Sequence, residues 1–491
     1  MKYSATSGIQ HEESLLFEHA HTLVESIHLP GVAGDVPAAL KAFSRKTPAG
    51  IPGLSEPEAV RHFVRLSQWN HGIETGFYPL GSCTMKYNPR VNEQVVRLPG
   101  LANVHPDQPE DSVQGVLALL YELQTWLGEI SGLPHVTLQP AAGAHGELTG
   151  MMMIRAYHDT RGDTKRRKVL VPDSAHGTNP ASAVLAGMHT VEIKSGANGR
   201  IDLDVLRANL DDETAALMLT NPNTTGMFES DIADICRLVH EAGGLVYGDG
   251  ANLNALVGIA RPGNMGIDCL HINVHKTFST PHGGGGPGAG PVAVNDTLQP
   301  FLPAPHIERD GESYNIVKTS KNSIGPVFGS IGQTGVLLRA AAYIAAFGRE
   351  HLHKIAEDAV LNANYVRVRL ADAYHVPFPG LCKHECLLTD EIQNRHGIKT
   401  LDIAKRLIDL GFHPMTVYFP LIVHGAMLIE PTETESKATL DAFCDAMLEI
   451  AKQCEAGDTE AIHAAPTMSI RRRLDETQAA RKPVLVWRDD D

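Results

Sequence analysis

Lys276 closes the apolar run Leu270-His-Ile-Asn-Val-His275-Lys276 and stands just ahead of a glycine-rich stretch, residues 283–290. An amine between a strand-like run and a glycine-rich loop sits at an element end, where a small molecule can reach it. Upstream, Leu245-Val-Tyr-Gly-Asp249 reads as a short buried strand that ends in an acid. Such an amine and such an acid are the pair that holds pyridoxal phosphate: Lys276 forms the Schiff base and Asp249 keeps the pyridine nitrogen protonated. The protonated ring then stabilises a carbanion on the substrate. A buried acid needs a cationic neighbour, which the pyridinium supplies. Capping of a helix begun at Gly250 is the competing reading of Asp249.

Other residues complete such a site. Pro140-Ala-Ala-Gly143-Ala144-His145-Gly146 leaves a strand and opens a helix. Its small residues let backbone N–H groups close around a phosphate, and the helix dipole adds to the attraction. An ordinary strand-to-helix turn has the same composition. His176, in Asp173-Ser-Ala-His176-Gly-Thr178-Asn, again lies between strand and helix. Its imidazole can stack on the cofactor ring and donate a hydrogen bond, or serve the fold alone. Asn221-Pro-Asn223-Thr224-Thr225-Gly226 is similar to the Asn-Pro-x-x-x-Gly loop of many pyridoxal-phosphate enzymes, which brings Asn223 and Thr224 towards the ring oxygen. Turn formation accounts for them almost as well. His275 precedes the lysine, a position from which it can sit over either ring or phosphate, and the sequence does not choose between them. The sequence does not choose among His145, His176 and His275 for acid–base work, nor does it assign an arginine to a substrate carboxylate. Gly283-x-Gly285-x-x-Gly288 matches a dinucleotide fingerprint on its face, but no strand-to-helix turn surrounds it and Pro287 interrupts any helix opening there. The stretch reads instead as an entrance that lets substrate, or another protein's arm, pass close to Lys276.

The elements that must position these groups follow from periodicity. Residues 112–130 carry apolar side chains at helical spacing, and 135–139 read as a strand. Strands at 168–172, 190–193, 215–220, 245–249 and 270–274 then alternate with helices at 181–186, 203–210 and 231–242. Short apolar runs alternating with amphipathic helices predict an α/β fold, a mostly parallel sheet covered on both faces. Ligands bind beyond the carboxyl ends of such strands, where Asp249 and Lys276 fall. An Ala- and Leu-rich helix at 333–347 closes this large domain, expected over 109–347. Helices at 356–373, 401–410 and 437–452 with strands at 385–388 and 426–429 predict a smaller C-terminal α/β domain over 348–491, ending in a docking tail. Residues 1–108 are Pro- and Gly-rich and read as an arm that wraps something else.

Composition narrows the class. With 491 residues, 43% of them apolar and 20% charged, the chain buries a large core in two or three domains. A formal net charge of −15 argues against a nucleic-acid partner. No segment approaches the length of a membrane span, and residues 1–8 carry no apolar signal core. Seven scattered cysteines imply no disulfide framework, so a reducing cytoplasm is the expected compartment. No metal site is expected: Cys382-Lys-His384-Glu-Cys386 is too tight for zinc spacings and reads as core cysteines beside a strand start. Cys83 is either a redox-sensitive or a packed thiol.

Several stretches are long enough to carry a resemblance: Tyr78-Pro-Leu-Gly-Ser-Cys-Thr-Met-Lys-Tyr-Asn88, Ala141-Ala-Gly-Ala-His-Gly-Glu-Leu148, His176-Gly-Thr-Asn-Pro-Ala-Ser-Ala183, Tyr247-Gly-Asp-Gly-Ala-Asn-Leu-Asn254 and the run from His271 to Gly288, with the tail around 472–487. Through them the chain resembles the glycine decarboxylase family, the P-protein of the glycine cleavage system. It is similar to the carboxyl-terminal half, which bacteria with a split enzyme carry as a second subunit. The resemblance implies a fold-type-I pyridoxal-phosphate architecture in which glycine displaces Lys276 and loses CO2. The aminomethyl group then passes to the oxidised lipoyl arm of the H-protein. It also implies a separate subunit 1, a two-plus-two heterotetramer, and a partner-embracing role for residues 1–108. A carrier-independent decarboxylase, desulfurase or transaminase of the same fold is the nearest alternative, and a degenerate scaffold subunit a more distant one.

Overall fold

The computed structural model describes residues 12–18, 35, 37–47, 53–282 and 288–486. Seven strands make the main sheet: β1 His135–Thr137, β2 Lys168–Pro172, β3 His189–Ile193, β4 Thr214–Thr220, β5 Leu245–Gly250, β6 Cys269–Ile272 and β7 Val292–Val294. Their spatial order is β1-β7-β6-β5-β4-β2-β3. The β3-β2-β4-β5-β6 block is parallel throughout, whereas β7 runs antiparallel to both β6 and β1. Every residue of β2 and β4 is buried, as strands covered on both faces require.

Alternation along these strands divides the apolar side chains between two cores. Leu170, Leu217, Leu219, Val246, Leu270 and Ile272 pack on one face with the helices Gln114–Ser131 and Ile232–Glu241. Val169, Val171, Met218, Leu245 and Cys269 pack on the other with the helix Gly143–Thr160. The register sets Thr220 beside Asp249 and Asp249 beside His271, so three polar side chains line up at the carboxyl edge of the sheet.

Beyond a hairpin, β8 His306–Asp310 and β9 Ser313–Val317, the helix Thr334–His351 turns sharply at Gly348 into His353–Leu370. A three-stranded antiparallel sheet follows, in the order β10-β12-β11, from β10 Cys386–Thr389, β11 Thr416–Val417 and β12 Ala426–Ile429. Helices His353–Leu370, Thr400–Asp409 and Lys437–Glu455 share a separate core with it. Periodicity anticipates these helices to within a turn. It misses β7, β8, β9 and β11, which are short and carry little pattern of their own.

Residues 77–88 thread between the two sheets as a strap. Phe77 joins the small-sheet core against Phe443, their rings 5.1 Å apart and edge-on. Leu80 bridges Ile429 antiparallel to β12. Farther along, the buried Lys86 ammonium donates to Asn254 Oδ1 (2.7 Å), to the Thr277 carbonyl (2.9 Å) and to Glu433 (2.5 Å). One side chain thus ties the strap to the turn after β6 and to the end of the small sheet. The Lys86 and Glu433 side chains are 1% and 7% exposed, so removing one leaves the other a buried, uncompensated charge. We expect Lys86→Met to lower unfolding stability by about 3–5 kcal/mol in urea titrations.

Candidate active site

Lys276, Asp249, His176, His275, Gly143, Ala144 and Thr224 all line one cavity of about 220 Å³ at the carboxyl edge of the main sheet. They arrive from five different segments of the chain. Asp249 comes from the end of β5, Lys276 and His275 from the turn after β6, and Thr224 from the loop after β4. Gly143 and Ala144 open the helix Gly143–Thr160, whose first N–H groups lack intrahelical acceptors. His176 lies on the exposed side of the cavity, ahead of the helix Thr178–Leu185 and beside Phe419.

Two expected site residues are placed elsewhere. Asn223 is spent on its own loop: its amide donates to the Gly199 carbonyl and to Glu229 (2.8 Å each), and its oxygen accepts from Thr225 and Met227. His145 Nδ1 accepts from the Ala141 N–H (3.1 Å), fastening the turn before the helix, and its ring does not line the cavity. Of the glycine-rich stretch, residues 283–287 lie outside the described residues, while 288–290 are packed against the site. Cys382 and Cys386 belong to the small-sheet core, where burial raises both thiol pKa values.

A set of polar groups not anticipated from sequence surrounds Asp249. Its Oδ1 accepts the Ala251 N–H (2.9 Å) and lies 3.5 Å from His271 Nε2. The Asn179 amide, turned so that its nitrogen faces the acids, donates to Asp249 (3.2 Å) and to Glu147 (2.8 Å). Glu147 also accepts from the Thr178 hydroxyl (2.8 Å), which is 2.9 Å from His176 Nδ1. Burial, and then the Asp249 charge, push the Glu147 carboxyl up to about 7. The faint signal for these residues is spacing alone. Glu147 is one turn beyond Gly143, and Thr178 and Asn179 closely follow His176.

A hydrogen-bond chain runs along the other side of Asp249. Burial drives the Tyr247 phenol well above its ordinary range and lowers the His271 pKa, so Tyr247 stays protonated and His271 neutral. The phenol therefore donates to His271 Nδ1 (2.5 Å), and His271 Nε2–H donates to Asn273 Oδ1 (2.7 Å). The Asn273 amide then faces His275 Nε2 at 3.3 Å. His275 is itself pushed down to about 3, by burial first and then by His282 and Lys276. His275 is thus a neutral acceptor beside the lysine, not a cation. Burial likewise lowers the His176 pKa.

These residues fit pyridoxal phosphate. Asp249 is 4% exposed with no lysine or arginine paired to it among the described residues, which suits a pyridinium. Thr220, on the cavity wall, has a buried hydroxyl without a protein partner among the described residues. A Cβ on Gly143 would come within 2.3 Å of the Asn273 amide, so only glycine keeps this corner open at the helix start. A parallel sheet bearing lysine and acid at its carboxyl edge, with a small α/β domain closing over them, is the fold-type-I architecture of pyridoxal-phosphate enzymes. The solved cysteine desulfurase of Thermococcus onnurineus shares that fold, with a TM-score of 0.61 and 15% identity over 82% of this chain and 99% of that one. A solved glycine decarboxylase (P-protein) in inhibitor-bound form superposes with a TM-score of 0.70 at 21% identity, covering 84% of this chain and 93% of that one.

Sequence comparison narrows the class. The profile described as "Glycine cleavage system P-protein" matches residues 28–309, and that of "Glycine dehydrogenase, C-terminal domain" matches 355–469. A Listeria innocua protein described as "Probable glycine dehydrogenase (decarboxylating) subunit 2" is 56% identical over 92% of both chains. Its Exiguobacterium sibiricum counterpart is 54% identical over 97% of both. The chain belongs to the P-protein family of the glycine cleavage system.

The raised Glu147 carboxyl makes stability pH-dependent. Its folded pKa lies above the unfolded value of 4.5, so the fold binds the proton more tightly and loses stability as pH rises from about 4.5 to 7. We expect the cofactor-free chain to lose up to roughly 3 kcal/mol over that interval through this group. Glu147→Gln should flatten this part of the loss in urea midpoints measured from pH 5 to 8.

Proposed function

We propose that this chain is the cofactor-bearing subunit of a two-subunit glycine decarboxylase. It removes CO2 from glycine and passes the remaining aminomethyl group to the oxidised lipoyl arm of the H-protein. The observation that carries this reading is the convergence of Lys276, Asp249 and the Gly143–Ala144 helix start on one cavity, in a chain of the P-protein family. Pyridoxal phosphate, when bound, supplies the electron sink for the pair left on carbon as CO2 departs.

This chain's residues would hold that group and manage charge around it. Asp249 offers its carboxylate to the pyridine nitrogen, held in place by the Ala251 N–H, Asn179 and His271. Gly143 and Ala144 present N–H groups to the phosphate, and Lys276 offers the amine for covalent attachment. His176 covers the open side as a flat neutral ring, anchored through Thr178 to Glu147. Among the described residues lining the cavity, Lys276 is the one lysine or arginine, so the site has no cationic clamp for a long acidic side chain. This supports a small amino acid as substrate.

The partners in this reading are subunit 1 in a two-plus-two heterotetramer, the lipoylated H-protein and glycine. The subunit-2 naming of the relatives supports the first of these. No helix of the described residues is long and apolar enough to cross a membrane. All seven cysteines are unpaired, which supports a cytoplasmic setting.

Two experiments test the reading. Borohydride treatment of the loaded chain should fix the cofactor on Lys276 in a peptide map, and Lys276→Ala should abolish both the label and the visible absorbance. Label on another side chain would overturn the assignment. With the partner subunit present, glycine-dependent CO2 release should require oxidised lipoyl carrier. Asp249→Asn should retain the label yet lower kcat on the order of 10²–10³-fold. Full CO2 release without carrier would favour the carrier-independent alternative.

A further inference from the structure

Glu385, just before β10, and Glu430, just after β12, are both fully buried, and the chemistry above uses neither. One oxygen of each, with a ring nitrogen of His384, lies within 4.8 Å of the others. Both acids face the strap. Glu385 accepts the Ser82 N–H (2.8 Å) and lies 3.4 Å from the Asn252 amide, and Ser82 and Asn252 both line the Lys276 cavity. Glu430 accepts the Thr84 N–H (2.9 Å) and hydroxyl (2.5 Å). Lys276 acts electrostatically on both carboxylates and on the Cys83 thiol between those strap residues.

No neighbour balances two negative charges there. Among the described residues, neither acid pairs with a lysine or arginine, and the one ion-pair neighbour of Glu430 is His384 at 3.7 Å. Burial pushes that imidazole down to about 3, so it is neutral. Lys86 acts on Glu430 at a distance, but its ammonium is hydrogen-bonded to Glu433, Asn254 and Thr277 instead. Burial raises the Cys83 thiol, which therefore keeps its proton and adds no charge of either sign. Two buried carboxylates this close do not both ionise without a cation between them. Burial raises both, Glu430 to about 7 and Glu385 well above its ordinary range.

We propose that Glu385 and Glu430 hold one proton between them and so present a single negative charge to the Lys276 cavity across the strap. The pair carries one negative charge opposite the Lys276 ammonium. The small domain thus sets one negative charge beside the cavity while the main sheet supplies the amine.

The test needs no cofactor, so its failure is separate from failure of the borohydride experiment. The pKa of Lys276 is read in the full, cofactor-free chain by competitive amine labelling against pH with peptide mass spectrometry. With one shared proton, Glu385→Gln or Glu430→Gln leaves a single ionised carboxylate, so Lys276 should titrate within about 0.3 units of the parent. The double variant removes the last charge and should lower the Lys276 pKa by about 1 unit or more. Stepwise lowering in each single variant would show two ionised acids and overturn the proposal. An unchanged Lys276 in the double variant would also overturn it. If the double variant does not fold, infrared spectra of the parent decide. A protonated carboxylic-acid stretch present at neutral pH and lost in both single variants supports the pair, and its absence from the parent overturns it.

Discussion

Four buried carboxylates are gathered around the single amine of Lys276: Asp249 and Glu147 from the main-sheet side, Glu385 and Glu430 from the small domain. One ammonium cannot balance four carboxylates in a water-poor cavity. Much else in the molecule answers that constraint. Hydrogen bonds from Ala251, Asn179, Thr178, Ser82 and Thr84 stabilise the charges that remain, protons held on the raised acids remove others, and Asp249 is left without a protein cation among the described residues, an environment that suits a cationic ring. Positive charge is scarce here by construction. His271, His275, His282 and His384 are all driven towards neutrality, with burial the largest cause for each.

The strap makes this arrangement possible. Its backbone donates to Glu385 and Glu430 while Lys86 reaches the carbonyl next to Lys276, so both halves of the charge system are fixed by one short segment. Ser82 and Thr84 adopt left-handed backbone, with φ of 65° and 50°, which non-glycine residues rarely do. Their N–H groups meet the acids in that conformation, and the buried hydrogen bonds offset the strain. Residues 77–88 are therefore part of the active-site wall of their own chain. Whatever role the rest of residues 1–108 has towards a partner, this part is already occupied.

Lys276 and Asp249 were legible because strand ends in a parallel sheet face ligands, and because both follow apolar runs whose period is unambiguous. The helix opening at Gly143 was legible for the same reason. Loop composition marks Asn223 and His145 as site candidates because it says that a polar side chain is present, not what consumes it; each is taken up by its own turn. Glu147 and Asn179 were invisible because a polar residue within a helix looks like a solvated face until the helix is docked. Glu385 and Glu430 were harder still. They come from the small domain, more than a hundred residues beyond Lys276, and before folding nothing distinguishes a buried acid beside a short strand from a surface one.

In the described part of the glycine-rich stretch, close packing alone requires the glycines. A Cβ on Gly288 would lie 2.5 Å from His275 Nδ1, and one on Gly290 would lie 2.1 Å from the Ala142 carbonyl. Gly290 also donates its N–H to the Pro140 carbonyl at 2.8 Å, immediately before β7. These glycines let the approach to β7 pack simultaneously against the His275 ring and the turn that opens the helix Gly143–Thr160. Because β7 is the antiparallel strand inserted between β1 and β6, that packing joins the start of the helix Gly143–Thr160 to the lysine-bearing turn. A side chain at either position would push the helix start away from the lysine-bearing turn, so in the described part of this stretch glycine sets the distance between them.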